Sequence, residues 1–149
     1  CGDVNPSGKL SDTYAKDLED YPSTANFHES AFYVDYTEDI YVGYRYFETI
    51  PGAAERVNYP FGFGLSYTDF KIETQSVTAD ADKVTVKVKV TNTGSTYSGK
   101  EIVQVYYSAP DSAEAEKEYQ ELGGFAKTDE LAPGESQILT ISYDTKDIR

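Results

Sequence analysis

The sequence predicts a mainly β protein, an antiparallel β-sandwich preceded by a loop-rich segment, and three observations carry that prediction. "KVTVKVKVTNTG", residues 83–94, alternates strictly, with Val84, Val86, Val88 and Val90 on one face and Lys83, Thr85, Lys87 and Lys89 on the other. Such alternation marks a half-buried antiparallel strand. "QILTISYD" repeats the pattern with Leu139, Ile141 and Tyr143 facing inward. Turn-forming Gly, Pro, Asn and Ser separate these runs at the short intervals typical of sandwiches.

Taken in order, residues 1–67 are rich in Asn, Asp, Pro, Ser and Tyr and sustain no period of 2 or 3.6 beyond short runs such as "AFYVDY" and "IYVGYRYF". They read as loops and short elements that borrow a core from elsewhere. In "SDTYAKDLEDYP", Asp12 offers a cap for a helical turn that Pro22 ends. "YPFGFGLSY", residues 59–67, sets Phe61, Phe63, Leu65 and Tyr67 two apart with Gly62 and Gly64 between them. Extended, it would put the four large side chains on one face and let a second backbone approach the glycines on the other. Its place between the two halves predicts a latch that packs one domain against the next.

"FKIETQSV", residues 70–77, is the first sandwich strand and the valine run the second. "EIVQVYYSAP" is the third, with Val103, Val105 and Tyr107 inward until Pro110 closes it. "DSAEAEKEYQ" reads as a solvated acidic loop, "ELGGFAKT" as a short strand broken by Gly123 and Gly124, and "APGES" as a tight turn before "QILTISYD". About five strands are visible where an immunoglobulin-like sandwich needs about seven. The sandwich is therefore expected to be cut short at Arg149, with unpaired edges that favour pairing with a neighbour and a possible oligomer.

Composition narrows the function classes. The 149 residues are 39% apolar, enough for a core, and carry a formal net charge of −13 from 26 acidic and 13 basic residues. With no block of Lys/Arg and no apolar run of about 18 residues, neither nucleic-acid binding nor membrane spanning is expected. The acidic surface is read as serving solubility. A single Cys forms no internal disulfide and no multi-cysteine zinc site. The absence of Met, with Cys1 leading, predicts a fragment or a processed chain. Fourteen Tyr and no Trp suit β-sheets, interfaces and sugar-lined clefts alike.

Candidate chemistry centres on "VDYTEDIYVGYR", where Asp35, Glu38 and Asp39 lie close to Arg45. A glycosidase needs two carboxylates about 5 to 9 Å apart. The plainer reading has one of these acids paired with Arg45 and the others in water. His28 stands without a second ligand or a nucleophile and reads as a hydrogen-bonded loop residue. "FGFG" lacks the Lys-Ser/Thr ending of a phosphate loop and the third glycine of a dinucleotide fingerprint. Ser11, Asp12 and Thr13 have no histidine partner or elbow glycines, so no hydrolase triad is built on them. The sequence thus assigns no catalytic, cofactor-binding or metal residue, and no cofactor is expected.

"GDVNPSGKLSDTY", "VDYTEDIYVGYRYFE", "YPFGFGLSYTDF", "VTVKVKVTNTGSTYSGKEIVQVYYSAP" and "ELGGFAKTDELAPGES", in this order, closely resemble the C-terminal part of glycoside hydrolase family 3 enzymes of the β-glucosidase type. The resemblance covers essentially the whole chain. It implies that residues 1–67 are the C-terminal segment of an α/β-sandwich domain and residues 68–149 a fibronectin type III-like β-sandwich truncated at its C-terminus. It also implies a retaining β-glycosidase as parent, whose nucleophilic aspartate lies in a (β/α)8 barrel and whose glutamate acid/base lies earlier in the α/β-sandwich domain.

Neither catalytic position falls in this chain, so Asp12 inherits no nucleophile role and Glu38 matches a structural glutamate of the family's Y-x-E motif. Ser11 stands where the family has proline, and Asp39 where it often has glycine. The implied partners are the missing barrel, the rest of the α/β-sandwich domain and, through the parent, a carbohydrate substrate. The rival expectation is a non-catalytic carbohydrate-binding or structural interaction module. In it Tyr41, Tyr44 and Tyr46 would stack on sugar, although alternate positions of "YVGYRYF" point different ways.

Overall fold

The computed structural model describes residues 2–109 and 116–148. The chain divides into two compact units, one of Leu10–Phe63 and Ser108–Glu121, the other of Cys1–Lys9, Gly64–Tyr107 and Leu122–Arg149.

The first unit is built of short pieces. Strand β1 (Tyr14–Ala15) pairs antiparallel with β2 (Val57–Tyr59), and between them run the six-residue helix α1 (Tyr44–Thr49) and three single 3-10 turns. Helix α1 begins at Gly43, whose φ of 59° and ψ of −128° suit a residue without Cβ. Its inward residue Phe47 is 2% exposed and meets the rings of Tyr21 and Tyr46 edge-on at 5.8 and 5.1 Å. The second half of the run "IYVGYRYF", from Tyr44 on, is therefore helix.

Asp12 caps no helix; its Oδ1 accepts the N–H of Thr13 at 2.8 Å. The first 3-10 turn, Leu18–Asp20, follows Asp17, whose N–H donates to Asp20 Oδ2 at 3.1 Å. Pro22 opens the next turn, Pro22–Ala25, because its missing N–H is harmless in a first turn.

The stretch 59–67 does not stay extended. Phe63 N–H donates to Pro60 O at 3.0 Å, closing a turn in which Gly62 takes φ 80°, a value strained for other residues. Leu10 clamps this turn from its backbone, donating to Phe63 O and accepting from Gly62 N–H, both at 2.8 Å. The turn redirects the side chains: Phe61 rests on Tyr44 at 4.9 Å and Phe63 on Tyr59 at 5.1 Å. Farther on, Tyr67 meets Tyr97 at 5.8 Å, while Leu65 is 71% exposed. The shared aromatic face expected of an extended segment is absent. The expected close approach is found at Gly64, where a Cβ would overlap the Gly8 carbonyl oxygen.

The second unit is an incomplete antiparallel sandwich. Its strands are β3 (Phe70–Ala79), β4 (Lys83–Asn92), β5 (Ile102–Tyr107), β6 (Glu121–Lys127) and β7 (Ser136–Asp144). One sheet has the order β3-β4-β7, with both pairs antiparallel, and the other holds β5 and β6. Val86, Val88 and Val90 of β4, Val103 of β5, Leu139 and Ile141 of β7 and Leu131 form the core. Burying each such side chain contributes about 1.5 to 3 kcal/mol.

Strand β6 runs unbroken through Gly123 and Gly124, where the sequence predicted an interruption. The reason is close packing: a Cβ on Gly123 would lie 2.9 Å from the Tyr143 ring, and one on Gly124 2.9 Å from Ile141 Cγ2. The glycines thus mark where β6 approaches side chains of β7. Of the acidic stretch 111–120, residues 111–115 lie outside the described residues.

Two asparagines tie the unit together. Asn92, at the end of β4, is fully buried; its Nδ2 donates to Tyr97 O and Leu131 O, both at 2.9 Å. Its Oδ1 accepts from Thr68 Oγ1 at 2.6 Å and Gly94 N at 3.0 Å, so every capacity of the amide is used. Asn5 donates to Ser98 O at 2.8 Å and accepts from Tyr67 N at 2.8 Å and Ser66 Oγ at 3.1 Å. Lys9 Nζ pairs with Glu101 at 2.8 Å, and Lys127 Nζ donates to Ser7 O at 3.0 Å. Residues 5–9 are thereby stitched into the sandwich.

Candidate functional site

The residues singled out for chemistry gather around α1. Helix formation at Tyr44 places Arg45 toward the segment 116–121, where its Nη2 meets Glu121 Oε1 at 3.0 Å and its Nε lies 3.5 Å from Glu118 Oε1. Burial works against the Arg45 charge, but the hydrogen bond and charge of Tyr44 and the carboxylates of Glu121 and Glu118 outweigh it and raise the pKa. The same segment holds α1 by Tyr119 N–H to Thr49 Oγ1 at 2.9 Å and by Gln120 Nε2 to Glu48. The acidic stretch beyond Ala115 is thus a partner of α1 as well as a solvated loop.

Asp35, Glu38 and Asp39 do not pair with Arg45. Asp35 and Asp39 are exposed and Glu38 half-buried, in a segment shaped by backbone turns: Tyr41 N–H donates to Glu38 O at 2.8 Å. Asp39 takes φ 50°, the only non-glycine residue among those described with a positive value. His28 is exposed and packs edge-on against Phe27 at 4.5 Å. Among the described residues no group of three or more His, Cys, Asp or Glu is placed to hold a metal ion. Among the described residues no helix is long and apolar enough to cross a membrane.

The three tyrosines of "YVGYRYF" do different jobs. Tyr41 OH donates to Glu116 at 2.7 Å, the Tyr44 ring lies tilted against Phe61, and Tyr46 OH accepts from Arg56 Nη2 at 2.9 Å while packing on Phe47. A cleft of about 290 Å³ opens beside them, lined by Thr13, Tyr44, Phe47, Glu48, Val57 and Phe61 among others. It is mostly apolar, with one carboxylate, so it offers no acid and base facing one another. A run of apolar side chains in the same unit is open to water, with Phe32 97%, Tyr36 87%, Tyr33 60%, Phe27 59% and Val42 57% exposed.

Sequence reasoning missed the residues that hold these parts in place. Asn5 enters the sequence reading only inside the motif "GDVNPSGKLSDTY", with no role of its own. Glu118 and Glu121 lie far along the chain from Arg45, and no local pattern joins them.

Residues 101–149 match the model of the fibronectin type III-like domain. The sandwich unit is therefore an incomplete module of that class. The chain as a whole is 57% identical over 162 residues to β-glucosidase A of Butyrivibrio fibrisolvens, covering 99% of this chain and 19% of that protein. A β-glucosidase structure from Paenibacillus barengoltzii matches with a TM-score of 0.88 at 54% identity, over 95% of this chain and 15% of the other. A family 3 β-glucosidase structure from Bifidobacterium adolescentis matches with a TM-score of 0.83 at 39% identity, over 97% of this chain and 21% of the other. The chain matches the C-terminal part of glycoside hydrolase family 3 enzymes of the β-glucosidase type, and it spans less than a fifth of the first of these relatives.

Proposed function

We propose that the chain is the scaffold portion of a retaining β-glycosidase that releases terminal β-linked sugars from oligosaccharides or glucosides by double displacement. The observation that carries this reading is the 57% identity, across 99% of the chain, with a protein named β-glucosidase A. The reaction needs an acid/base and a nucleophilic carboxylate about 5 to 5.5 Å apart. By family resemblance both lie in other parts of the parent, the nucleophile in a barrel and the acid/base earlier in the α/β-sandwich domain. Residues 1–67 would then close that domain and residues 68–149 form the fibronectin type III-like module. The exposed aromatic run between Phe27 and Val42 supports a piece that is seated against more of its own polypeptide.

A carbohydrate-binding module is the second reading. The separate engagements of Tyr41, Tyr44 and Tyr46 speak against the flat platform that it needs. The test is turnover of an aryl β-glucoside by the purified chain and by the full-length parent. Activity is expected only in the parent, and Glu38→Gln in the parent is expected to leave the shape of its pH profile unchanged. Turnover by the chain alone, abolished by Glu38→Gln, would overturn the scaffold reading. Saturable binding of cello-oligosaccharides without hydrolysis would favour the module.

A further inference from the structure

The outward face of the three-stranded sheet carries a charge opposite in sign to that of the whole chain. Strand register puts Lys83, Lys87 and Lys89 of β4 on that face, with Lys71 of β3 beside Thr91 at its end. Residues directly opposite one another across a ladder project from the same face. The carboxylates among these strand residues are Glu73, opposite Lys89, and Asp144, opposite Lys83. The face thus holds four of the chain's 13 basic residues and two of its 26 acidic ones.

Both acids are already engaged. Lys71 Nζ meets Glu73 at 2.8 Å, and Lys146 Nζ meets Asp144 at 3.0 Å. The hydrogen bond and charge of Lys71, with the charge of Lys89 added, hold the Glu73 carboxyl below its usual range. Among the described residues Lys83, Lys87 and Lys89 form no ion pair.

Two ordinary explanations for surface lysines do not fit. On an edge strand they would guard against pairing with another chain, but β4 is the central strand of its sheet. As solubilising charges they would oppose a net charge of −13 that already serves that end. Lysines in the middle of a sheet in an acidic protein make physical sense if they meet an anion.

The shape of the face narrows the anion. Successive same-face positions on a strand lie about 6.6 Å apart, so the row from Lys83 to Thr91 and Lys71 runs about 26 Å, which suits a linear polymer better than a small ion. Beside the lysines stand hydroxyls paired across strands, Thr85 with Ser142 at 3.1 Å and Thr91 with Ser136 at 2.8 Å. Ile138, opposite Lys89, is 61% exposed. Hydroxyls can give and accept hydrogen bonds with sugar hydroxyls, and an aliphatic side chain suits the C–H face of a sugar ring. The face has no Arg for bidentate phosphate contacts and no aromatic ring for stacking on bases.

We propose that the outward face of the β3-β4-β7 sheet is a docking surface for a linear acidic polysaccharide, its carboxylates lying along the lysine row of β4 and its hydroxyls meeting the flanking Ser and Thr. At physiological salt charges are screened over about 8 Å, so acids elsewhere on the chain do not cancel the attraction at contact. The proposal goes beyond the glycosidase reading and is independent of it, since binding and turnover are measured separately.

The test uses polygalacturonate immobilised on beads, with neutral galactan and duplex DNA on others, and measures depletion of the chain 1–149 and of the full-length parent from solution. Both proteins are expected to bind polygalacturonate, to come off as salt is raised and to ignore neutral galactan. Lys87→Glu with Lys89→Glu should raise the Kd about tenfold or more, as two attractions become repulsions, and Lys87→Gln with Lys89→Gln should raise it less. Lys16→Glu with Lys100→Glu, the same charge change at exposed lysines outside the three strands, should alter it by less than about twofold. No binding, or an equal loss in the Lys16/Lys100 variant, would overturn the proposal. Binding by the chain but not by the parent would do so too, because the face would then be covered. Equal binding to DNA would assign the face to nucleic acid, and salt-sensitive self-association abolished by Lys87→Glu would assign it to the acidic surface of a second copy.

Discussion

Replacing Asn92 with Ala removes an amide that makes four hydrogen bonds in a fully buried position. The damage can be apportioned among its partners. Leu131 O keeps a donor, the N–H of Gly99 at 3.0 Å, and Tyr97 belongs to a residue 44% exposed, so water can replace the loss there. Among the described residues Thr68 Oγ1 and the Gly94 N–H have no second partner, and Thr68 is only 8% exposed. Two stranded polar groups at about 1 to 3 kcal/mol each, with the packing lost beside them, give a destabilisation of about 4 kcal/mol. That is a large share of the 5 to 15 kcal/mol typical of a folded protein.

The assay is urea unfolding followed by near-ultraviolet circular dichroism, which reports the packing of the Tyr residues. The midpoint should fall with little change in slope. Thr68→Val should itself cost about 1 to 2 kcal/mol, and in the double variant the two effects should add to less than their sum because they share a bond. A loss below about 1 kcal/mol for Asn92→Ala, or strict additivity with Thr68→Val, would refute the argument.

Two further substitutions probe close packing and charge. Gly64→Ala should destabilise the chain by about 2 kcal/mol or more, since the new methyl meets the Gly8 carbonyl, whereas Gly8→Ala, which meets nothing, should be neutral or slightly stabilising; thermal melting of the pair checks both. Arg45→Met should cost about 1 to 2 kcal/mol by leaving Glu118 and Glu121 without their shared cation, and adding Glu118→Gln should recover part of it. Amide exchange of residues 116–121 should rise in the single variant and fall back in the double.

How much of this was legible in the sequence depends on how locally each feature is encoded. Strands β4, β5 and β7 could be read because a half-buried strand repeats every two residues, as in Val84 to Val90. Helix α1 could not, because six residues give fewer than two turns of period and Phe47 alone marks the buried side. "YPFGFGLSY" misled because its spacing obeys period 2 while Gly62 bends the backbone between Phe61 and Phe63. Gly123 and Gly124 looked like a break because what they admit, Tyr143 and Ile141, lies on another strand. The cluster of Asp35, Glu38, Asp39 and Arg45 was adjacent in sequence only; the arginine's carboxylates come from a segment more than seventy residues on.

The stitching of residues 5–9 into the sandwich has a temporal side. Lys127 reaches Ser7 across 120 residues, and Asn5 binds Ser98 across 93. At about 5 to 20 residues per second, a ribosome that has made Ser7 takes some 6 to 24 s to make Lys127. For most of that time Asn5 meets only Ser66 and Tyr67 and Lys9 has no carboxylate to pair with, because Ser98 and Glu101 are not yet made, and the closure of so long a loop must wait until the sheets that receive them exist. Assembly of the sandwich is therefore set by its last strands, and its earliest residues are among the last to be locked in place.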